Sequence, residues 1–529
     1  MPATAPPPRR LLMRSALRLA LAACAGRSAS VLAGPLPGTY TAPFAAYPFT
    51  LGVASGCPEP DGFVLWTRLA PDPRAADGGL DPLPVEVRWE LAEDEAFTRI
   101  VRIGGLVAAP ERAHAVHVEV QGLQPERWYW YRFFAGHGSN AATSPVGRTR
   151  TAPAPGAATE RMQLAVASCQ HYEHGFYGAW RHVADEAPDL VLHLGDYIYE
   201  NDARADPVRR HWSGEPRTLA GYRSRWAQVK TDPDLQRAHA CAPWLYTWDD
   251  HEVDNDYAGL QSRDLAADFV HRRAAAYLAC FEHMPLRALA APRGSDMQLY
   301  GRWAFGNLAE FLMLDDRQYR SPQACPRPGR GGSNVVSDCE ELHDPARTML
   351  GSDQQAWLDE KLSRSRARWT VLGQQTLFAG FDLDPGPGTR YWTDGWSGYP
   401  AARDALVSAI VQRRVRNPLV LGGDVHAHYV CDVHERAGDE RSPVVATEFC
   451  TTSITSPGLP QAQIDRVLPG NRHVRLADAT RRGYVSMTLE QRRCTARLRV
   501  VDDARDPGTG VATRAAFVVE DGLPGAQPA

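Results

Sequence analysis

Gln163-Leu-Ala-Val-Ala-Ser168, then Phe176, Trp180, Val183 and Ala187 at helical spacing, then Pro188 and Leu190-Val-Leu-His-Leu-Gly-Asp196: this order spells a strand, a helix and a second strand. Pro188 ends the helix, because it cannot continue the backbone hydrogen-bond ladder. Both strand segments are apolar runs with almost no alternation, as expected of strands buried on two faces. The unit is therefore a βαβ crossover, right-handed with parallel strands. Its second strand ends in Gly195-Asp196, with Tyr199 three residues on.

Further segments extend the pattern toward the C-terminus. Residues 217–290 are helix-rich and contain Thr247-Trp-Asp-Asp-His-Glu-Val-Asp-Asn255. Ser352-Asp-Gln-Gln355 has the form of a capping box opening a helix with Trp357, Leu358 and Leu362 on one side. Trp369-Thr-Val-Leu-Gly373 and Asn417-Pro-Leu-Val-Leu-Gly-Gly-Asp424 read as further strands, and Tyr484 to Val519 as two or three antiparallel ones. Toward the N-terminus, Phe63–Arg68, Val85–Leu91, His114–Val120 and Trp128–Phe134 are short strands between turns. They predict an all-β immunoglobulin- or fibronectin-like domain over 40–150. A stretch rich in Ala, Thr, Pro and Gly from Asn140 to Ala158 reads as a linker, and the α/β domain spans 159–520.

The chain has 529 residues, enough for two or three domains, and a net charge of −4, which argues against nucleic acid as a partner. Residues 1–58 carry five Arg and no acid. Arg9-Arg10 followed by the short apolar stretch Ser15–Ala23 reads as a twin-arginine export signal over 1–33, too short to span a bilayer. It predicts engagement of the twin-arginine export machinery and a place in the periplasm, the cell envelope or outside the cell. Cleavage near Ala33 and lipid anchoring at Cys24 are both compatible with the sequence. An oxidising compartment permits disulfides among the ten Cys, and Cys325 with Cys339, bracketing a Gly/Pro/Arg-rich loop, is the first candidate pair.

In open α/β sheets, functional groups gather beyond the carboxyl ends of strands. Three such ends carry potential metal ligands: Cys169, Asp196 and Asp424-Val-His426. Read singly, each has a plain alternative. Cys169 could be a small core residue, Gly195-Asp196 a turn, and Asp249, Asp250, Glu252, Asp254 and Asp256 a solvated acidic loop; of His426 and His428, one could face solvent. The joint pattern instead favours one metal-binding edge with hard carboxylate and phenolate donors beside a thiolate and an imidazole.

The order Cys169…Gly195-Asp-x-x-Tyr199…Asp250-His251…Gly423-Asp-x-His426 resembles the calcineurin-like metallophosphoesterases, in the form carried by PhoD-like alkaline phosphatases and phosphodiesterases. Leu51-Gly-Val-Ala-Ser-Gly-Cys-Pro58, Leu65-Trp-Thr-Arg68, Trp248-Asp-Asp-His-Glu-Val253, Arg347-Thr-Met-Leu-Gly351, Gln354-x-x-Trp-Leu358 and Trp396-x-Gly-Tyr-Pro400 extend the likeness over nearly the whole mature chain. It departs at Cys57, where the family often has Asp, a change expected to affect a disulfide and not catalysis. The resemblance implies a four-layer catalytic β-sandwich flanked by helices. It also implies one ferric ion, Fe(3+), held by Cys169, Asp196, Tyr199 and His426, and calcium, Ca(2+), held by Asp196, Asp250 and Asp424.

The implied reaction is hydrolysis of small phosphate esters or phosphodiester polymers, as a monomer, by in-line attack of a metal-activated hydroxide or oxide. His251, beside Asp250, is expected to contact phosphate or protonate the leaving group, with Glu252 and Asn255 in support. Two other readings stand beside it: a two-metal enzyme like the purple acid phosphatases, which Cys169 disfavours because that class has Asp there, and a nonenzymatic calcium-binding surface protein.

Overall fold

The computed structural model describes residues 43–137, 141–202 and 206–529. The expected export segment over 1–33, with Arg9, Arg10 and Cys24, lies outside them. Within them, no helix is long and apolar enough to cross a membrane.

Leu190–Leu194 pairs in parallel with Arg161–Ala167 on one side and Trp244–Thr247 on the other, in the register Ala165↔Val191 and Leu192↔Leu245. These strands lie in the middle of a ten-stranded sheet. Gly483–Glu490, Arg493–Val501, Val511–Glu520 and Leu523–Pro528 extend it antiparallel beyond Arg161–Ala167. A second sheet of seven strands has Ala309–Met313, Trp369–Gly373, Pro418–Gly422 and Val444–Cys450 parallel at its centre.

Alternation within each strand packs the sheets together. Leu190, Leu192 and Leu194 point into one core with Phe311, Met313, Val371 and Leu421 of the other sheet, while Val191 points to the opposite face. There Trp180, Trp226, Leu235 and Phe281 cover the first sheet, from the helices Gly178–Glu186, Leu219–Lys230, Pro233–Cys241 and Phe269–His283. Leu358, Leu362, Leu406 and Ile410, from Gly351–Arg364 and Pro400–Gln412, cover the outer face of the second. The order is helix, sheet, sheet, helix.

The N-terminal strands also form a sandwich, but one of its sheets is not their own. Ile100–Ala108, Val85–Ala92, Trp128–Ala135, Ala142–Thr143 and Gly147–Arg150 make a separate sheet of five. Its buried face, with Val87, Leu91, Tyr129 and Phe133, packs on Val53, Phe63, Leu65 and Val118. Those residues sit on Val53–Glu59, Gly62–Arg68 and Ala115–Val120, the far edge of the ten-stranded sheet, joined to it by parallel pairing of Gly56 with Trp244. The segment read as a linker contributes Gly147–Arg150, which pairs with Trp128–Ala135.

Two local readings change. The helix at Gly351–Arg364 starts without a capping box. The Thr348 hydroxyl instead accepts the N–H groups of Leu350 and Gly351 at 3.2 and 2.9 Å, and Gln354 turns its amide to the backbone of Asp315. Cys57 is a buried free thiol beside the carbonyl of Pro285, not half of a disulfide, whereas Cys325 and Cys339 are bonded.

Candidate metal centre

The parallel strands of both sheets deliver their carboxyl ends to one edge. Four residues there hold left-handed backbone without being glycine: Cys169 (φ 60°), Asp196 (58°), Asp424 (64°) and His426 (54°). Each such conformation costs roughly 1–3 kcal/mol and marks a turn over-determined by its surroundings. Glycine is required beside them. A Cβ on Gly195, itself at φ 100°, would lie 2.4 Å from Cβ of Asp249, and one on Gly423 would lie 2.5 Å from Oγ of Ser168. The turns are laced to each other, with Cys169 N–H donating to Gly195 O at 3.1 Å and Gln170 N–H to Asp196 O at 2.9 Å.

These turns bring the expected residues together. Ligand atoms of Cys169, Asp196 and His426 lie within 4.8 Å of one another, as do those of Asp196, Asp249, Asp250 and Asp424, and those of Asp196, Asp250 and His251. Asp196 belongs to all three groups. The Tyr199 hydroxyl donates to Asp196 Oδ2 at 2.7 Å, sits 3.2 Å from His426 Nε2, and accepts from Ser456 Oγ at 2.8 Å. His426 lies in the turn, whereas His428 is buried within the strand His428–His434.

The acidic segment after Trp248 is not a solvated loop. Asp249, Asp250, Glu252 and Asp254 are all at most 5% exposed. Glu252 accepts the N–H groups of Asp196, Tyr197 and Asp249 at 3.0, 2.6 and 2.9 Å, tying two strand ends together. Glu200 holds His251 through Nδ1 at 2.6 Å and accepts the Asn255 N–H at 2.9 Å.

Arg317 joins the site although no sequence motif marks it. It follows the apolar strand Ala309–Met313 in Leu314-Asp-Asp-Arg317, the same kind of strand end that marked Asp196. Its buried guanidinium bonds Asp249 and Asp394, and Nη2 stands 3.8 Å from both Asp250 Oδ1 and Asp424 Oδ2. Ser456, beyond the strand Val444–Cys450, is a second addition.

The electrostatics fit a site built for cations. Burial first, and the Asp196 carboxylate second, push the Cys169 thiol and the Tyr199 phenol well above their ordinary ranges. Burial pushes Asp424 up to about 8, with Arg317 opposing and Asp250 and Asp394 assisting. Burial likewise raises Asp249, with Arg317 opposing. Burial acts on Asp250 in the same sense, but Arg317 and His251 outweigh it and hold that carboxyl low. Burial lowers His251, but Glu200 and Asp250 outweigh it and raise the imidazole well above its ordinary range. Asp196 Oδ1 and Asp249 Oδ2 are buried without a hydrogen-bond partner. Buried carboxylate oxygens facing a thiol, a phenol and an imidazole, with no donor supplied, form a donor set that a trivalent or divalent ion satisfies.

Two cavities meet at this edge. One, about 840 Å³, is lined by His171, Tyr199, His251, Ser456 and Arg482, and the other, about 580 Å³, by Phe381, Trp392, Val425, Tyr429 and Asp424. His426 borders both.

Comparison with known proteins agrees with this geometry. The profile of the PhoD-like phosphatases matches residues 164–498, and that of the PhoD-like phosphatase N-terminal domain matches residues 35–153. Alkaline phosphatase D of Bacillus subtilis (strain 168) is 46% identical over 487 residues, covering 90% of this chain and 82% of that protein. A solved structure described as the structure of PhoD superposes with a TM-score of 0.88 at 44% identity, over 92% of this chain and 93% of the other.

Proposed function

The chain belongs to the PhoD-like phosphatase family and is a phosphoric ester hydrolase; on that premise we propose that Cys169, Asp196, Tyr199 and His426 hold Fe(3+), and that Asp196, Asp250 and Asp424 hold Ca(2+). The observation that carries this is Asp196. Its Oδ2 takes the Tyr199 hydroxyl, its Oδ1 is buried and unpartnered, and it links the cluster with Cys169 and His426 to the clusters with Asp249, Asp250, His251 and Asp424. A carboxylate so placed suits a bridge between two ions.

When bound, the ions supply Lewis acidity for hydrolysis of a phosphate ester. The protein's own groups orient and protonate. His251, with Nδ1 on Glu200, keeps Nε2 for the larger cavity that it lines, where it contacts a phosphoryl oxygen or gives a proton to the leaving alcohol. Arg317 places a fixed positive charge behind Asp250 and Asp424. The two cavities on either side of His426 leave room for both alcohol arms of a diester, and a monoester needs only one of them.

Residues 159–520 form a four-layer metallophosphoesterase domain, preceded over 40–150 by an immunoglobulin- or fibronectin-like domain, with an export signal over 1–33. The mature protein is a monomer of the periplasm, cell envelope or exterior, exported by the twin-arginine machinery and cut near Ala33 or lipid-anchored at Cys24. Cys169 argues against a purple-acid-phosphatase-like centre, and family membership sets aside a nonenzymatic surface protein.

The test is metal analysis of purified protein together with turnover of nitrophenyl phosphate and bis-nitrophenyl phosphate. Iron and calcium should both be found, and Asp196→Ala should lose metal and activity together. Near-normal turnover by Asp196→Ala would sink the assignment.

A further inference from the structure

We propose that Glu173, Asp202 and His211 form a separate binding site for a divalent transition-metal ion such as Zn2+, at the rim of the larger cavity. Ligand atoms of these three residues lie within 4.8 Å of one another. None of them belongs to the centre described above. The ring of His171 stands between the two places, with its centroid 4.6 Å from that of Tyr199 and 5.5 Å from that of His211.

The state of His211 points to a ligand. Gln228 donates Nε2–H to the carbonyl of Arg210 at 2.9 Å, and its Oε1 accepts the N–H of Trp212 at 3.1 Å, so its amide orientation is fixed. The same Oε1 lies 3.2 Å from Nδ1 of His211, which must therefore carry the proton and donate it. That leaves the lone pair on Nε2, and this buried nitrogen has no hydrogen-bond partner. A metal-ligating imidazole is held in this way, with one nitrogen locked to an oxygen acceptor and the other left bare. Burial and the nearby Arg225 keep the ring neutral by holding its pKa down at about 4.

The two carboxylates complete the set from different sides. Glu173 is 4% exposed and accepts the backbone N–H of His211 at 2.8 Å, which keeps the two residues in register. Asp202 reaches in from the cavity wall, with its side chain 58% exposed. Arg225 stands 3.7 Å from it, beyond hydrogen-bond distance, and that guanidinium is already engaged with the carbonyls of Glu200, Ser213 and Gly214 at 3.2, 3.0 and 3.1 Å. One imidazole and two carboxylates are borderline-to-hard donors that suit zinc or manganese, with open positions left for water.

The experiment is equilibrium dialysis of the purified holoprotein against Zn2+, followed by elemental analysis of all metals. Wild type should take up one zinc equivalent beyond its resident ions without losing iron or calcium. Asp202→Asn, an exposed change that leaves the fold alone, and His211→Ala should each weaken that uptake at least about tenfold while resident metal content stays constant. Equal zinc binding by wild type and Asp202→Asn would overturn the proposal, as would zinc that enters only by displacing iron or calcium.

Discussion

The carboxylate of Glu252 receives the backbone N–H of Asp196 at 3.0 Å, although 56 residues separate them in sequence. The same carboxylate takes Tyr197 N–H and Asp249 N–H, so one side chain fixes the turns after two neighbouring parallel strands. Burial, with Asp196 beside it, raises its pKa to about 8, and the three N–H donors work against that rise. Glu252→Gln presents an amide NH2 to at least one of those donors. We expect metal affinity to fall by about 10–100-fold with the fold intact. Calcium titration of the variant, with circular dichroism as the fold check, measures this.

Tyr199 makes a separate prediction about the identity of one ion. A phenolate bound to ferric iron absorbs visible light through charge transfer, and a phenol that only hydrogen-bonds to Asp196, His426 and Ser456 does not. Tyr199→Phe removes the oxygen and keeps the ring, which packs against His171 and His251 at centroid distances of 4.6 and 4.2 Å. The variant should fold and lose the visible band. Wild-type colour that survives in Tyr199→Phe rules the phenol out as an iron ligand.

The parts of this arrangement legible in sequence are those written in short-range pattern. Leu190–Leu194 followed by Gly195-Asp196 announces a buried strand with a carboxylate at its end, because both faces of the strand demand apolar residues and the turn demands glycine. The parts that could not be read depend on pairing across long separations. Gly56 pairs with Trp244, which fuses the N-terminal sandwich to the larger sheet, and nothing local to either residue specifies the other. Arg317 finds Asp249 and Asp394 at separations of 68 and 77 residues. Its strand-end position was visible, but an arginine there has many surface explanations until burial removes them. The capping box at Ser352 failed for a related reason, since Gln354 had a better partner in the distant backbone of Asp315.

His251 and Glu200 separate chemistry from metal binding. Glu200 is 2% exposed, and its own pKa is lowered, because His251 and the Asn255 N–H outweigh its burial. His251→Ala should retain iron and calcium but lose roughly 10²–10⁴-fold in kcat, the usual range for a proton donor. Glu200→Gln should lose less, since it keeps an acceptor for Nδ1 while removing the charge that favours the imidazolium. Turnover and metal content measured on the same preparations test both. Loss of metal from His251→Ala would reassign that residue to the ligand shell.

Lys230 predicts how stability depends on pH, away from the reaction. It is 2% exposed, lies over the Trp66 ring at 4.3 Å, and among the described residues has only His239 Nε2, at 3.4 Å, as a side-chain hydrogen-bond partner. Burial drives its pKa well below the ordinary lysine range. Between that lowered value and the unfolded value near about 10.4, the unfolded chain binds a proton that the native chain does not. Stability must therefore rise with pH across this window by up to about 1.4 kcal/mol per pH unit from this residue, and below the window the cost no longer grows. Lys230→Met keeps the length of the side chain and removes the charge. It should be more stable than wild type at neutral pH, with the difference shrinking as the pH approaches 10. Urea midpoints of both proteins between pH 7 and pH 10 measure that difference directly, and a gap that stays constant across the range would mean that Lys230 is charged in the folded protein.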